Sequence, residues 1–253
     1  MPDLSSGPPK TGEAGAEGSH RRPADQRDQR AAMAAQVRRL VTLVVGRPLD
    51  DDALDRAAED VRQLADALEA KAGPGKASRP LPDPTSGPAE LFPTSPVIGR
   101  ANPLAPPAQV WWQDGELRGR VRFAYAYEGP PTCVHGGVIA AVFDEILGAA
   151  LIMNGNPGMT GTLTVRYRRP TPLQADIDLV ARPTGVDGRK LYVEGALYYA
   201  GELTAEAEAV FIKVPPETMA GIVGSNERRA DAPVVDERLR AYMGAGGEVL
   251  AAE

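Results

Sequence analysis

The chain is poor in the residues that most often build reactive centres. Its 253 residues include one cysteine, Cys133, and two histidines, His20 and His135. A single cysteine excludes an intramolecular disulfide and argues against a cysteine-ligated metal centre. His20 sits in a polar stretch, so a multi-histidine site is disfavoured too, and no metal or other cofactor is expected. Aromatic residues make up only 5 % of the chain. The formal net charge of −6 disfavours general nucleic-acid binding. No early apolar segment marks a signal peptide. No uncharged apolar run reaches the length of a bilayer span. The expectations are a cytoplasmic chain with no nucleic-acid partner and no membrane span.

Proline and glycine are plentiful, 24 and 27 respectively, and they gather outside the middle of the chain. Residues 1–35 combine them with alanine and charge and read as a disordered tail. Residues 36–71 read as a helical extension. A short apolar helix over Val37–Val45 ends at Gly46 and Pro48. After Asp50-Asp51-Asp52, a second stripe recurs at Leu54, Ala57/Ala58, Val61, Leu64/Ala65 and Leu68, with Lys71 in the last turn. The simpler expectation is a hairpin packed on the main domain. The alternative is a dimerising or partner-binding arm. Residues 72–107 form a Pro-rich linker, in which PVIGRANPLAPP is apolar enough to lie along the domain surface. Residues 215–253 are a weakly patterned C-terminal tail with room for a short helix over 235–243.

Residues 108–214 hold the compact domain. Val121, Phe123 and Tyr125 alternate with Arg120 and Arg122, which predicts a strand over Glu116–Tyr127. A long apolar helix is predicted over 137–153. Four strands follow over Thr160–Arg168, Gln174–Arg182, Lys190–Tyr199 and Thr204–Val214. Turns at Pro170/Pro172, Asp187-Gly188 and Ala200-Gly201 separate them. The order implies an α+β domain whose antiparallel sheet wraps a central helix.

Chemistry concentrates at the start of that helix, HGGVIAAVFDEILGAALIM. Apolar residues on every side predict a helix buried all round. Asp144 and Glu145 then lie mid-helix, where a carboxylate is costly unless paired or put to use. Gly136 and Gly137 let a ligand approach the free N–H groups of the helix N-terminus, which favour negative charge. The nine residues from His135 to Asp144 span about 13 Å and about half a turn beyond two full turns. The glycine end and Asp144 therefore cannot serve one reacting group within one chain. If they share a site, two copies must meet, which predicts a homodimer with interfacial sites. Plainer readings stand beside these: Asp144 as a cap for a buried donor, His135 as a satisfied core histidine, Glu145 as an outward residue, Cys133 as a small buried residue.

The strand, GPPTCVHGGVIAAVFDEILGAALI, MTGTLTVRYRRPTPL, DGRKLYVEGALYY and AEAEAVFIKV together resemble the hotdog-fold acyl-CoA thioesterases, in the branch of the PaaI-type and THEM4-type enzymes. The resemblance covers roughly residues 95–214. It implies a hotdog fold, homodimers or dimers of dimers, and hydrolysis of an acyl thioester, usually of coenzyme A. Asp144 then matches the general base or nucleophile. Gly136 and Gly137 match the oxyanion-hole turn, with the Gly137 N–H as the expected donor. His135 matches the histidine that orients this turn or the thioester carbonyl, and Thr160 the hydroxyl that holds the attacking water. Arg189 and Lys190 are the better candidates for the coenzyme A phosphates, ahead of Arg166, Arg168 and Arg169. Phe143 and Met159 are candidates for the acyl channel, with core packing the simpler reading. Two rival functions remain: a non-catalytic acyl-CoA-binding regulator or scaffold, and an acyl-CoA hydratase or dehydratase. The last needs a histidine placed differently from His135.

Overall fold

A computed structural model describes residues 23–73 and 92–215. Expectations for residues 1–22, 74–91 and 216–253, including the short helix over 235–243, lie outside the described residues.

Six strands form one antiparallel sheet: β1 (Gln109–Gln113), β2 (Glu116–Arg122), β3 (Met159–Tyr167), β4 (Asp176–Asp187), β5 (Lys190–Tyr199) and β6 (Glu202–Ile212). Their spatial order is β1-β2-β4-β5-β6-β3, so β1 and β3 are the edges. The long helix α3 (Gly136–Met153) connects β2 to β3 and lies on one face of the sheet. This is the expected α+β hotdog arrangement.

Strand periodicity explains the wrap. Leu117 and Val121 of β2, Ile177, Leu179 and Ala181 of β4, and Leu191, Val193 and Leu197 of β5 alternate inward and are buried. On β6 the inward set is Ala205, Ala207, Ala209 and Phe211. The three alanines keep that part of the surface shallow. Against the sheet α3 turns Ile139, Val142, Phe143, Ile146, Leu147, Ala150 and Leu151. A Cβ on Gly195 would lie 3.0 Å from Leu147 Cδ2, so glycine there lets the helix settle onto β5. Leu147→Ala is therefore expected to destabilise the domain by about 2–5 kcal/mol. Urea denaturation reads this, and a loss below about 1 kcal/mol would contradict the tight packing at Gly195.

The opposite sheet face is polar. Arg120 pairs with Asp178 at 2.7 Å and Arg122 with Asp176 at 3.4 Å, each directly across the β2–β4 ladder. Arg182–Glu194 repeats the device across β4–β5, and Arg166–Glu208 (2.7 Å) and Arg168–Glu206 (2.5 Å) tie the β3 edge to β6 diagonally. Exposed pairs of this kind add little to stability, because water and salt screen them. Their larger consequence is register, since a one-residue slip would turn these charges into the core.

The structure corrects several sequence expectations. β1 was absent from the prediction because QVWWQ is short and lacks alternation. The predicted strand to Tyr127 stops at Arg122, and Tyr125–Tyr127 form a 3-10 turn. β4 continues five residues past the predicted end at Arg182. A register shift between Pro183 and Gly185 absorbs the irregularity of these two residues.

At the N-terminus, α1 spans Pro23–Gly46. It begins within the segment expected to be a tail, where Ala31, Ala32, Ala34 and Ala35 favour helix. α1 docks on the turn at Tyr125–Tyr127, burying Ala34, with Gly46 pressed against the Tyr125 ring. Arg38 Nη1 donates to the Asn102 carbonyl at 2.8 Å. Asp50 caps α2 (Asp51–Glu69) by accepting from Ala53 N at 2.8 Å. No residue of α2 is buried, and Leu54, Val61, Leu64 and Leu68 face outward. The expectation that the whole hairpin packs on the domain holds for α1 and fails for α2. The described part of the linker goes deeper than the expected course along the domain surface, because Ile98 joins the core and Ala105 is fully buried.

Candidate active site at the start of the central helix

The loop before α3 is fixed from several directions. Gly129 N donates to Cys133 O at 2.9 Å, and Thr132 N donates to the Glu128 carboxylate at 2.7 Å. Thr132 takes a φ of +67°, an uncommon conformation for threonine that this bond helps to hold. Val134 N donates to Thr171 O at 2.9 Å and His135 N to Tyr127 O at 2.8 Å. A Cβ on Gly129 would come within 2.7 Å of His135 Cα, so loop and turn touch backbone to backbone. His135 therefore enters the helix from a rigid mount.

His135 is the N-cap. Its Nδ1 accepts from Gly137 N–H at 3.0 Å. An accepting Nδ1 carries no proton, so in the neutral ring the proton sits on Nε2, which is left as a donor. His135 is exposed. A Cβ on Gly137 would lie 3.1 Å from that Nδ1, which explains the second glycine of the motif. Val138 N and Ile139 N both donate to His135 O, at 2.9 and 3.2 Å. Of the first helical N–H groups, that of Gly136 has no partner among the described residues. The Gly137 N–H is the expected oxyanion donor. Gly137 is occupied by the histidine cap, and the available amide is that of Gly136.

The carboxylate lies farther along the same helix. Thr160 Oγ1 donates to Asp144 Oδ1 at 2.7 Å, so helix and edge strand β3 bring two of the expected site residues together. Asp144 is exposed, which corrects the expectation of a helix buried all round. α3 is long and apolar enough by composition to cross a membrane, but its inward face packs on the sheet. Its outward stripe runs through Gly137, Ala141 and Asp144, all exposed. The half-turn offset applies to His135, and Gly136, eight residues from Asp144, lies about 80° off its face. Gly137 and Asp144 are seven residues apart, so they share a face at a separation of about 10 Å.

The remaining candidates fall into place or apart. Lys190 pairs with Ile212 on β6, and Ile212 pairs with Met159 on β3. Arg189 and Lys190 are thus at the same end of the sheet as Thr160, two strand spacings or about 10 Å across. Arg166, Arg168 and Arg169 are engaged by Glu208, Glu206 and Glu202. Phe143 is completely buried in the core, whereas Met159 is 48 % exposed beside Thr160. Glu145 is half-buried and already engaged, and Cys133 is a half-buried free thiol. Among the described residues, no group of three His, Cys, Asp or Glu side chains is placed to hold a metal.

One further contact reaches the helix start. Tyr167, the last residue of β3, donates from Oη to the Gly136 carbonyl at 2.8 Å. Tyr167 falls within the predicted strand Thr160–Arg168, but no local pattern says that its hydroxyl meets a helix start 31 residues earlier.

Comparison with known proteins bears on this geometry. Residues 132–206, from the loop before His135 into β6, match the profile of the Thioesterase superfamily. A solved thioesterase superfamily protein is 34 % identical, covers 72 % of this chain and 90 % of its own, and superposes with a TM-score of 0.65. Acyl-coenzyme A thioesterase THEM4 of Mus musculus is 37 % identical over 92 residues, 36 % of this chain and 40 % of that protein. THEM4 of Xenopus laevis is 35 % identical over 91 residues, 35 % of this chain and 41 % of that protein. The chain spans about two fifths of the length of these curated relatives.

Proposed function

The chain belongs to the thioesterase superfamily, and from that premise we propose that it hydrolyses an acyl-CoA thioester to a free acid and coenzyme A. The observation that carries this reading is the Thr160–Asp144 hydrogen bond, on the same helix as a histidine-capped N-terminus whose first amide, that of Gly136, has no partner among the described residues.

The chemistry follows from the donors and acceptors. Thr160 donates its one proton to Asp144 Oδ1, which fixes the carboxylate and leaves Oδ2 to accept from water. Water loses a proton to Asp144 as its oxygen attacks the thioester carbonyl carbon. The carbonyl oxygen gains negative charge. The Gly136 N–H and His135 Nε2–H, helped by the positive end of α3, are the donors that stabilise it. Collapse breaks the carbon–sulfur bond. The departing thiolate takes the proton held by Asp144, leaving the acid and the thiol. Arg189 and Lys190 are solvent-facing cations at this end of the sheet and suit the phosphates of coenzyme A. Arg189→Ala/Lys190→Ala is expected to raise KM on the order of tenfold with kcat retained. Steady-state kinetics check this, and an unchanged KM would remove both residues from the site.

The site is completed by a second copy. One protomer's Gly137 and Asp144 share a face but are about 10 Å apart along the axis. Two α3 helices crossing antiparallel near Ala141 set each glycine end beside the other chain's carboxylate. Ala141 and Gly137 are small enough for close approach.

The test is thiol release from short, medium, long and aromatic acyl-CoAs. Release from at least one class is the expected result. No release from any, with thermal stabilisation by some, would instead favour the acyl-CoA-binding regulator.

A further inference from the structure

Tyr167 has no place in the reaction just described, yet it contacts the machinery at a sensitive point. Its hydroxyl donates to the carbonyl of Gly136 at 2.8 Å. That carbonyl belongs to the same amide as the Gly137 N–H, which donates to His135 Nδ1 at 3.0 Å. The atoms form an unbroken sequence: Tyr167 O–H to amide oxygen, amide N–H to Nδ1, and through the ring to Nε2–H. Hydrogen bonds in series polarise one another. A donor on an amide oxygen draws electron density from the nitrogen and makes its N–H a better donor. That N–H in turn holds Nδ1 as the acceptor and confines the ring proton to Nε2. Sterics agree, since a Cβ on Gly136 would lie 3.3 Å from Tyr167 Oη. The first glycine thus leaves room for the phenol.

We propose that Tyr167 is a positioning residue for the thioester carbonyl, acting through the Gly136–Gly137 amide to hold His135 in the tautomer that donates from Nε2. This rests on the hydrolytic reading above. The location of Tyr167 suits the role. It ends β3, the same strand that begins with Met159 and Thr160, so one edge strand holds the base through Thr160 and the donor turn through Tyr167, each for one of the two shared sites. Its hydroxyl reaches the turn from the strand, leaving the His135 ring exposed on the opposite side of the amide.

The test is Tyr167→Phe, which keeps the ring and deletes the hydroxyl. Steady-state kinetics are combined with nitrogen-15 NMR of the histidine side chains. The chain has only two histidines, and His20→Gln assigns the signals. The wild type is expected to show His135 with a proton on Nε2 and none on Nδ1. Tyr167→Phe is expected to show a mixture of tautomers and a kcat lower on the order of tenfold, with KM within about twofold. In a His135→Ala background the same change should have no further effect on kcat, because the two residues act in series. Unaltered tautomer signals, or altered signals with wild-type kcat, overturn the proposal, as does an equal further loss in the His135→Ala background. A wild-type chain that releases no thiol defeats the hydrolytic reading instead, and the NMR signals still decide whether the hydrogen-bond series exists.

Discussion

Asp144→Asn should lower kcat by about two to four orders of magnitude while leaving the fold intact. Asparagine is nearly isosteric with aspartate and still accepts from the Thr160 hydroxyl through its carbonyl oxygen, so the 2.7 Å contact survives the change. It cannot take a proton from water. The exposure of Asp144 makes the result easier to interpret. A buried carboxylate could be replaced only at a cost in stability. This one stands on the outward stripe of α3, so urea and thermal unfolding should match the wild type closely. Kinetics with excess substrate would separate loss of chemistry from loss of binding, since KM should move little. Retention of more than about a tenth of wild-type kcat would falsify the role of Asp144 as the base. The measurement also separates Asp144 from Glu145, the neighbouring carboxylate, which is half-buried and held by another interaction.

The contrast between those two carboxylates shows how far a sequence can be read. Helix, sheet and their order followed from period: β5 was bounded to the residue by its alternation and its glycine turns. The outward stripe of α3 was not legible, because Ala141 and Gly137 count as apolar or neutral in any pattern. They are exposed only because the sheet covers one side of the helix. The same limit applies to α2. Its apolar stripe was plain in the sequence, but a stripe does not say whether anything covers it, and here nothing in the described protomer does. At the candidate site, residue types and spacing singled out the histidine, the glycines and Asp144, and the family resemblance added Thr160. Which amide remains free depended on the rotamer of His135, whose Nδ1 claims the N–H of Gly137 and leaves that of Gly136. Such a choice is made by side-chain geometry and leaves no trace in composition or period. Tyr167 was missed for a related reason, since its partner lies 31 residues away in the sequence.

Mixing two impaired chains should restore activity that neither has alone. Asp144→Asn keeps the histidine turn, and His135→Ala keeps the carboxylate. The loss of the Nε2 donor and of the Gly137 cap in the latter should raise the barrier by about 2.7–4 kcal/mol. In a two-fold symmetric dimer with shared sites, a hybrid of these chains has one site built from the intact turn of one chain and the intact Asp144 of the other. Its second site carries both lesions. Random reassociation of equal amounts makes half of the dimers hybrids, so turnover should recover to about a quarter of wild type. If each chain instead assembled a whole site by itself, every site in the mixture would carry one lesion and nothing would be recovered. The separation of about 10 Å between Gly137 and Asp144 along one helix is what makes the first outcome the expected one. Differently tagged chains, unfolded together and refolded, let hybrids be isolated and assayed directly. A purified hybrid should show about half of wild-type kcat per dimer with unchanged KM. An inactive hybrid would mean that the two halves of the site do not meet across this interface, even if Asp144 proves essential.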